Sequence, residues 1–148
     1  MIRIQKKNFN LAHENKKLSK KNAGAMVSFV GIAREINKKN KIKYIEIEHY
    51  PKMAKKKIKE VEKKATKKWK LNDCIIIHRY GKIFSGENIV YVATSAEHRL
   101  NAFRACEYII DYLKVDAPFW KLEKTKSRNI EVKATKKDKR KLRDWNLY

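Results

Sequence analysis

Apolar residues recur along this chain in two periods, and the switch between them marks out its elements. MIRIQ at the start reads as a short strand, and residues 10–19 as a short helix with Leu11 and Leu18 on one face. AMVSFVGIAR, residues 25–34, predicts a buried strand that ends at Arg34, followed by a mobile polar loop, EINKKNK, over 35–41. In IKYIEIEHY, 42–50, Ile45, Ile47 and His49 alternate with Tyr44, Glu46 and Glu48, the period of a half-exposed strand.

Pro51 then opens a helix at its tolerated first position. Ala54, Ile58, Val61, Ala65 and Trp69 step by three or four and predict one buried stripe, with lysines on the remaining sides. CIIIHRY (74–80), KIF after a turn at Gly81, and NIVYVATS (88–95) predict neighbouring strands. Thr94 and Glu97 have capping-box spacing for the next helix, whose expected stripe is Leu100, Phe103, Cys106, Ile110 and Leu113. Pro118 stops that helix, PFWKLE and NIEVKA predict two more strands, and Thr135 with Asp138 caps a last basic helix ending near Trp145. Strands and helices interspersed with hairpin-like links predict a single α+β domain over 1–148 on a largely antiparallel sheet.

Composition adjusts this picture in several ways. The 43% hydrophobic content supports a packed core in spite of 36% charged residues. No apolar run is long enough to span a bilayer and the N-terminus lacks the apolar segment of a secretory signal, so a cytoplasmic protein is expected. Cys74 and Cys106 stand alone in apolar segments and read as buried core thiols. The net charge of +22 points to a polyanion such as RNA or DNA. Lysine outnumbers arginine thirty to eight, however, where planar recognition of phosphate and bases favours arginine. The aromatics also fall mostly in apolar stripes instead of among the basic residues. Nucleic acid is therefore expected to bind only nonspecifically, and a basic RNA- or DNA-binding module is the alternative reading.

Gly-rich phosphate loops, HExxH and GxSxG are missing, and His13, His49, His78 and His98 show no metal-ligand spacing, so neither a metal nor a cofactor is expected. What remains is a set of cations at the ends of apolar elements. Arg34 closes a strand, His98 and Arg99 open a helix where free N–H groups favour an anion, Lys114 lies in that helix's last turn, and Lys121 follows Pro118. Each has a plain reading: a dipole-complementing lysine for Lys114, a solvated first turn for His98 and Arg99, an edge-strand charge for Lys121.

Taken in order, FVGIAREIN (29–37), EHYPKMAKKKI (48–58), IHRYGKIFSGE (77–87), SAEHRLNAF (95–103) and DYLKVDAPFWKLE (111–123) resemble the signature blocks of the large, catalytic subunit of molybdopterin synthase. The resemblance spans roughly residues 24–124. It implies an α/β-hammerhead-like fold and a homodimer within a heterotetramer. The other subunit of that assembly is a small ubiquitin-like sulfur carrier whose C-terminal Gly-Gly ends in a thiocarboxylate. The implied activity is sulfur transfer from that tail to cyclic pyranopterin monophosphate, building the dithiolene of molybdopterin. Lys114 and Lys121 match the family's catalytic lysines. Arg34 matches a substrate-binding position, as do His98 and Arg99 reaching in from the other protomer, and Phe29 an aromatic at the pocket's edge. Two departures stand out: Thr135 replaces a further arginine, with Lys136 and Lys137 following, and Ile110 replaces a methionine.

Overall fold

A computed structural model describes residues 1–147. In chain order its elements are β1 (Ile2–Gln5), α1 (Leu11–Lys17), β2 (Ala25–Ile32), β3 (Ile36–Asn37), β4 (Asn40–His49), α2 (Pro51–Trp69), β5 (Leu71–Arg79), β6 (Gly81–Phe84), β7 (Asn88–Ala96), α3 (Arg99–Val115), β8 (Phe119–Thr125), β9 (Asn129–Val132) and α4 (Lys136–Asp144), with a closing 3₁₀ turn at Trp145–Leu147. One sheet runs β1-β5-β7-β2, and only its β1–β5 pair is parallel. The other is antiparallel, ordered β3-β4-β8-β9 with β6 also paired to β4. The result is the expected α+β domain on largely antiparallel sheet.

The two central strands of the first sheet are buried on both faces, which is why β5 and β7 read as continuous apolar runs. Cys74, Ile76, Val92 and Ala96 face the helix side, where Ile58, Val61 and Ala65 of α2 join Ala102, Ala105, Cys106 and Ile109 of α3. Ile75, Ile77, Tyr91 and Ala93 point the other way and are covered by Phe9 and Leu18. Both cysteines are buried thiols, and burial pushes each up to about 12.

The α2 stripe matches the expected residues: Ala54, Ile58, Val61, Ala65 and Trp69 are its buried set. Elsewhere the structure corrects the sequence reading. The α3 stripe is rotated to Ala102, Ala105, Cys106, Ile109, Tyr112 and Leu113, leaving Leu100 and Phe103 62% and 60% exposed. Two apolar registers compete along this helix. The one carrying alanines wins, because α3 lies close between α2 and the sheet and small side chains permit that approach. Thr94 is no cap: it sits inside β7 and its hydroxyl donates to the Ala102 carbonyl at 2.8 Å, while the N-cap position falls to His98. In α1, Leu11 is exposed and the helix stops at Lys17, so Leu18 packs as the residue beyond it.

Nor is β2 a buried strand. It pairs only with β7 at a sheet edge and leaves Met26, Phe29 and Ile32 exposed. The supposed mobile loop at 35–41 is a tight hairpin. Ile36 pairs with Lys41 and Asn37 with Asn40, and Lys38 takes the positive φ (55°) of the turn.

Candidate active site

The two sheets meet at the C-terminal end of α3, and the hollow between them is where the cations converge. Strand periodicity puts Phe119, Lys121 and Glu123 of β8 on one face. Lys121 is paired to Ile47 of β4 on one side and Val132 of β9 on the other, so it is an interior-strand residue and not an edge charge. Lys114 reaches the same place from the last turn of α3.

Two adjoining hollows share these lysines. The first, about 300 Å³, is lined by Phe29 and Gly31 of β2, Val90 of β7, His78 of β5, Ile110 and Leu113 of α3, and both lysines. Gly31 is required here, because a Cβ would lie 2.6 Å from a Val90 methyl carbon. The second, about 240 Å³, adds Arg34, Ile45, Glu123 and Val132. Ile32, Ile89, Lys114 and Lys121 line both. The structure thus brings together Lys114, Lys121, Phe29 and Arg34. It does not bring His98 and Arg99 to them: fifteen residues of helix, roughly 22 Å, separate Arg99 from Lys114.

The pocket's electrostatics are tuned by burial. Removal from water lowers the Lys121 pKa below its ordinary value, and the neighbouring Lys114 charge lowers it further. Lys121 is therefore more easily neutralised than an ordinary lysine. Lys114 Nζ donates to Asp138 Oδ1 at 3.0 Å. Arg34 donates through Nε and Nη2 to Glu123 Oε1 at 3.2 and 3.1 Å, and Asn37 Nδ2 donates to Glu123 Oε2 at 2.6 Å. Glu123 is buried, so these contacts fix Arg34 at the rim while its remaining N–H groups stay available to an anion.

Three contributors escaped the sequence reading: His78, Asn37 and Glu123. His78 is fully buried, and its ring stacks on Phe119 at 3.8 Å and 15°. Its Nδ1 lies 2.8 Å from the Arg79 carbonyl, so that nitrogen carries the proton and Nε2 is an acceptor. Burial, with the Lys121 charge beside it, lowers His78 to about 3 and keeps it neutral. The signal for Glu123 was the strand period itself, which places it two residues beyond Lys121 on the same face. His78 carried no such signal, since an isolated histidine in an apolar run reads as core.

A larger hollow of about 460 Å³ lies between α3 and α4, lined by Trp69, Arg104 and Trp145 among others. There Lys141 pairs with Glu107 at 2.6 Å, while Lys68 and Arg104 lie over the Trp69 and Trp145 rings. Among the described residues no group of three or more His, Cys, Asp or Glu side chains could hold a metal ion, and no helix is long and apolar enough to cross a membrane.

An α+β domain with two lysines and an arginine lining adjoining hollows between its sheets defines a structural class. Comparison with known proteins narrows that class. The family described as MoaE protein matches residues 4–116. The molybdopterin synthase catalytic subunit of Ralstonia nicotianae is 40% identical over 148 residues, covering 99% of this chain and 84% of the relative. That of Vibrio cholerae is 39% identical over 145 residues, covering 97% of each. Among solved structures, the molybdopterin biosynthesis MoaE protein of Burkholderia ambifaria superposes with a TM-score of 0.82 at 38% identity, covering 100% of this chain and 99% of the other. Molybdopterin synthase from Staphylococcus aureus also gives 0.82, at 30% identity and 88% and 96% coverage. The chain belongs to the MoaE protein family.

Proposed function

We propose that this protein is the catalytic subunit of a molybdopterin synthase, moving sulfur from the C-terminal thiocarboxylate of a small ubiquitin-like protein to cyclic pyranopterin monophosphate. The observation that carries the reading is the placement of Lys114 and Lys121 on the wall shared by two adjoining hollows, one edged by Phe29 and the other by Arg34. Family membership supports the reaction, and a wall shared by two hollows suits a reaction whose two substrates meet there.

Both reactants are anions, and fixed cations draw them in without reorganising during the reaction. In the transfer, the thiocarboxylate sulfur bonds to a carbon of the pyranopterin as that carbon's bond to an oxygen breaks, the oxygen leaving with a proton. Water then adds to the carrier's carbonyl carbon, the carbonyl–sulfur bond breaks, the sulfur stays on the pterin and the carrier leaves as a carboxylate. Lys121, with its lowered pKa, is suited to take the proton from that water. Arg34, anchored by Glu123, is placed to hold the substrate's phosphate. A second carrier supplies the second sulfur.

His98 and Arg99 enter as contributions from a partner protomer, because their own pocket lies a helix length away. The working assembly is a homodimer that binds one small carrier subunit per protomer, in the cytoplasm. Exposed Leu100 and Phe103 beside His98 and Arg99, and exposed Phe29 and Ile32 on the open β2 edge, are apolar surfaces that such a contact would cover.

The test uses thiocarboxylated carrier and the pyranopterin, with the dithiolene product measured directly. Lys114→Ala and Lys121→Ala should each lower turnover by at least about 100-fold, the scale of losing a transition-state electrostatic contact, while both remain folded. Lys63→Ala, on the exposed face of α2, should leave turnover unchanged. Near-normal turnover in both pocket variants would return the lysines to surface charge.

A further inference from the structure

Asp138 stands at the third position of α4, where it completes the capping box with Thr135. Its Oδ2 accepts from the Thr135 amide and the Thr135 hydroxyl, both at 2.8 Å, and its own amide donates back to Thr135 Oγ1 at 3.2 Å. That leaves Oδ1, which accepts from Lys114 Nζ at 3.0 Å. One carboxylate oxygen thus serves the turn and the other holds the pocket amine.

We propose that Asp138 is the positioning residue for Lys114: the α4 cap fixes the carboxylate, and the carboxylate fixes the amine at the wall shared by the two hollows. The proposal rests on the reading of this pocket as the sulfur-transfer site. Lys114 needs such a tether. Its side chain is 53% exposed, it is long and flexible, and the Lys121 charge beside it drives it toward solvent. Asp138, 20% exposed, supplies the opposing attraction and a fixed direction.

The tether is anchored at its far end as well. Lys141 of α4 pairs with Glu107 and Asp111 of α3, and Trp145 Nε1 donates to Asp111 Oδ2 at 2.7 Å, so α4 is clipped along α3 beyond Lys114. The burial of Asp138 opposes ionisation, but the Thr135 amide and hydroxyl and the Lys114 ammonium outweigh it and hold the carboxyl at about 2, charged at every working pH. Thr135, where the family pattern has an arginine, here builds the cap that aims the tether.

A carboxylate beside an anion pocket opposes substrate binding, so its function must show in turnover and not in affinity. Steady-state kinetics with thiocarboxylated carrier and the pyranopterin should therefore separate the two. Asp138→Ala should lower kcat by about tenfold to hundredfold, the cost of a misplaced catalytic group, with KM for the pyranopterin unchanged or lower. Asp138→Asn has a single acceptor oxygen, so it can serve Thr135 or Lys114 but not both, and should lie between. Thr135→Ala retains the backbone N–H contact but loses the hydroxyl, and should fall in the same direction by less. Lys139→Ala, exposed on α4, should match wild type.

A kcat within about twofold of wild type in Asp138→Ala overturns the proposal, as does a rise of KM in step with the loss of kcat in both the Ala and the Asn variant. Lys114→Ala run in parallel separates the two readings. If it is inactive while Asp138→Ala is normal, only the positioning fails; if it is itself normal, the pocket assignment fails.

Discussion

Lys121 shows how one side chain acquires a lowered pKa from where the chain puts it. An exposed lysine is almost wholly protonated near neutrality, but this one is withdrawn from water beside a second amine, and both effects lower its pKa from 10.5. In the proposed mechanism the neutral amine takes the proton, so turnover should rise with pH toward that lowered pKa and level off above it. Lys121→Arg preserves the charge and removes the titration, so the variant should be slow and lose the rise; a pH–kcat series on both proteins measures this. A wild-type profile that keeps climbing to 10.5 would assign the proton transfer to an ordinary exposed amine. Asp138 works on stability with the opposite sign. Its pKa is lowered from 3.8 to about 2 in the folded state, so its stabilisation is complete above 3.8 and is lost as pH falls through about 2.

At the scale of elements, α2 and α3 show what periodicity can and cannot say. Along α2 a single apolar register exists, because lysines dominate the other sides, and the expected stripe is the buried one. Along α3 both Leu100–Phe103–Cys106 and Ala102–Ala105–Ile109 satisfy the helical period. The choice is made by how closely α2 and the sheet approach, which no local pattern encodes. Ala105 is the clearest case: it is fully buried, and Ala105→Leu should cost about 1–3 kcal/mol through overpacking, read as a lowered urea midpoint. Lys63→Ala should stay within about 0.5 kcal/mol. An Ala105→Leu protein as stable as wild type would mean that α3 has room to move off the sheet. The edge position of β2 and the hairpin at Ile36–Lys41 were hidden for a related reason. Apolar content looks the same in an edge strand as in a central one, and Lys38 gives no sign of the positive φ that the turn needs.

The whole molecule reconciles a charge of +22 with a site that uses only a few cations. Most lysines coat helix faces, so RNA binding should be measurable at low salt, fall steeply as salt rises and show no sequence preference, a filter-binding titration being the check. Lys114 and Lys121 could be singled out in the sequence because an apolar Ala-Pro-Phe-Trp run joins them, and the fold gives that run its meaning by folding β8 back against the end of α3. Glu123 shares the strand period of Lys121, but Asn37 and His78 became visible only with the pairing of the strands and the stacking on Phe119, since those neighbours come from distant parts of the chain. The proposed pocket for sulfur transfer takes Lys114 and Lys121 from one protomer and Arg99 from its partner. Mixing two inactive variants tests it directly. In a hybrid dimer of Lys114→Ala with Arg99→Ala, the second protomer's pocket keeps its own lysines and receives Arg99 from the first. Each variant alone should form negligible dithiolene product, and the co-expressed pair should recover roughly a quarter of wild-type turnover, since half the dimers are hybrids with one complete site of two. No recovery in a verified hybrid, or full activity of Arg99→Ala alone, would contradict the shared pocket.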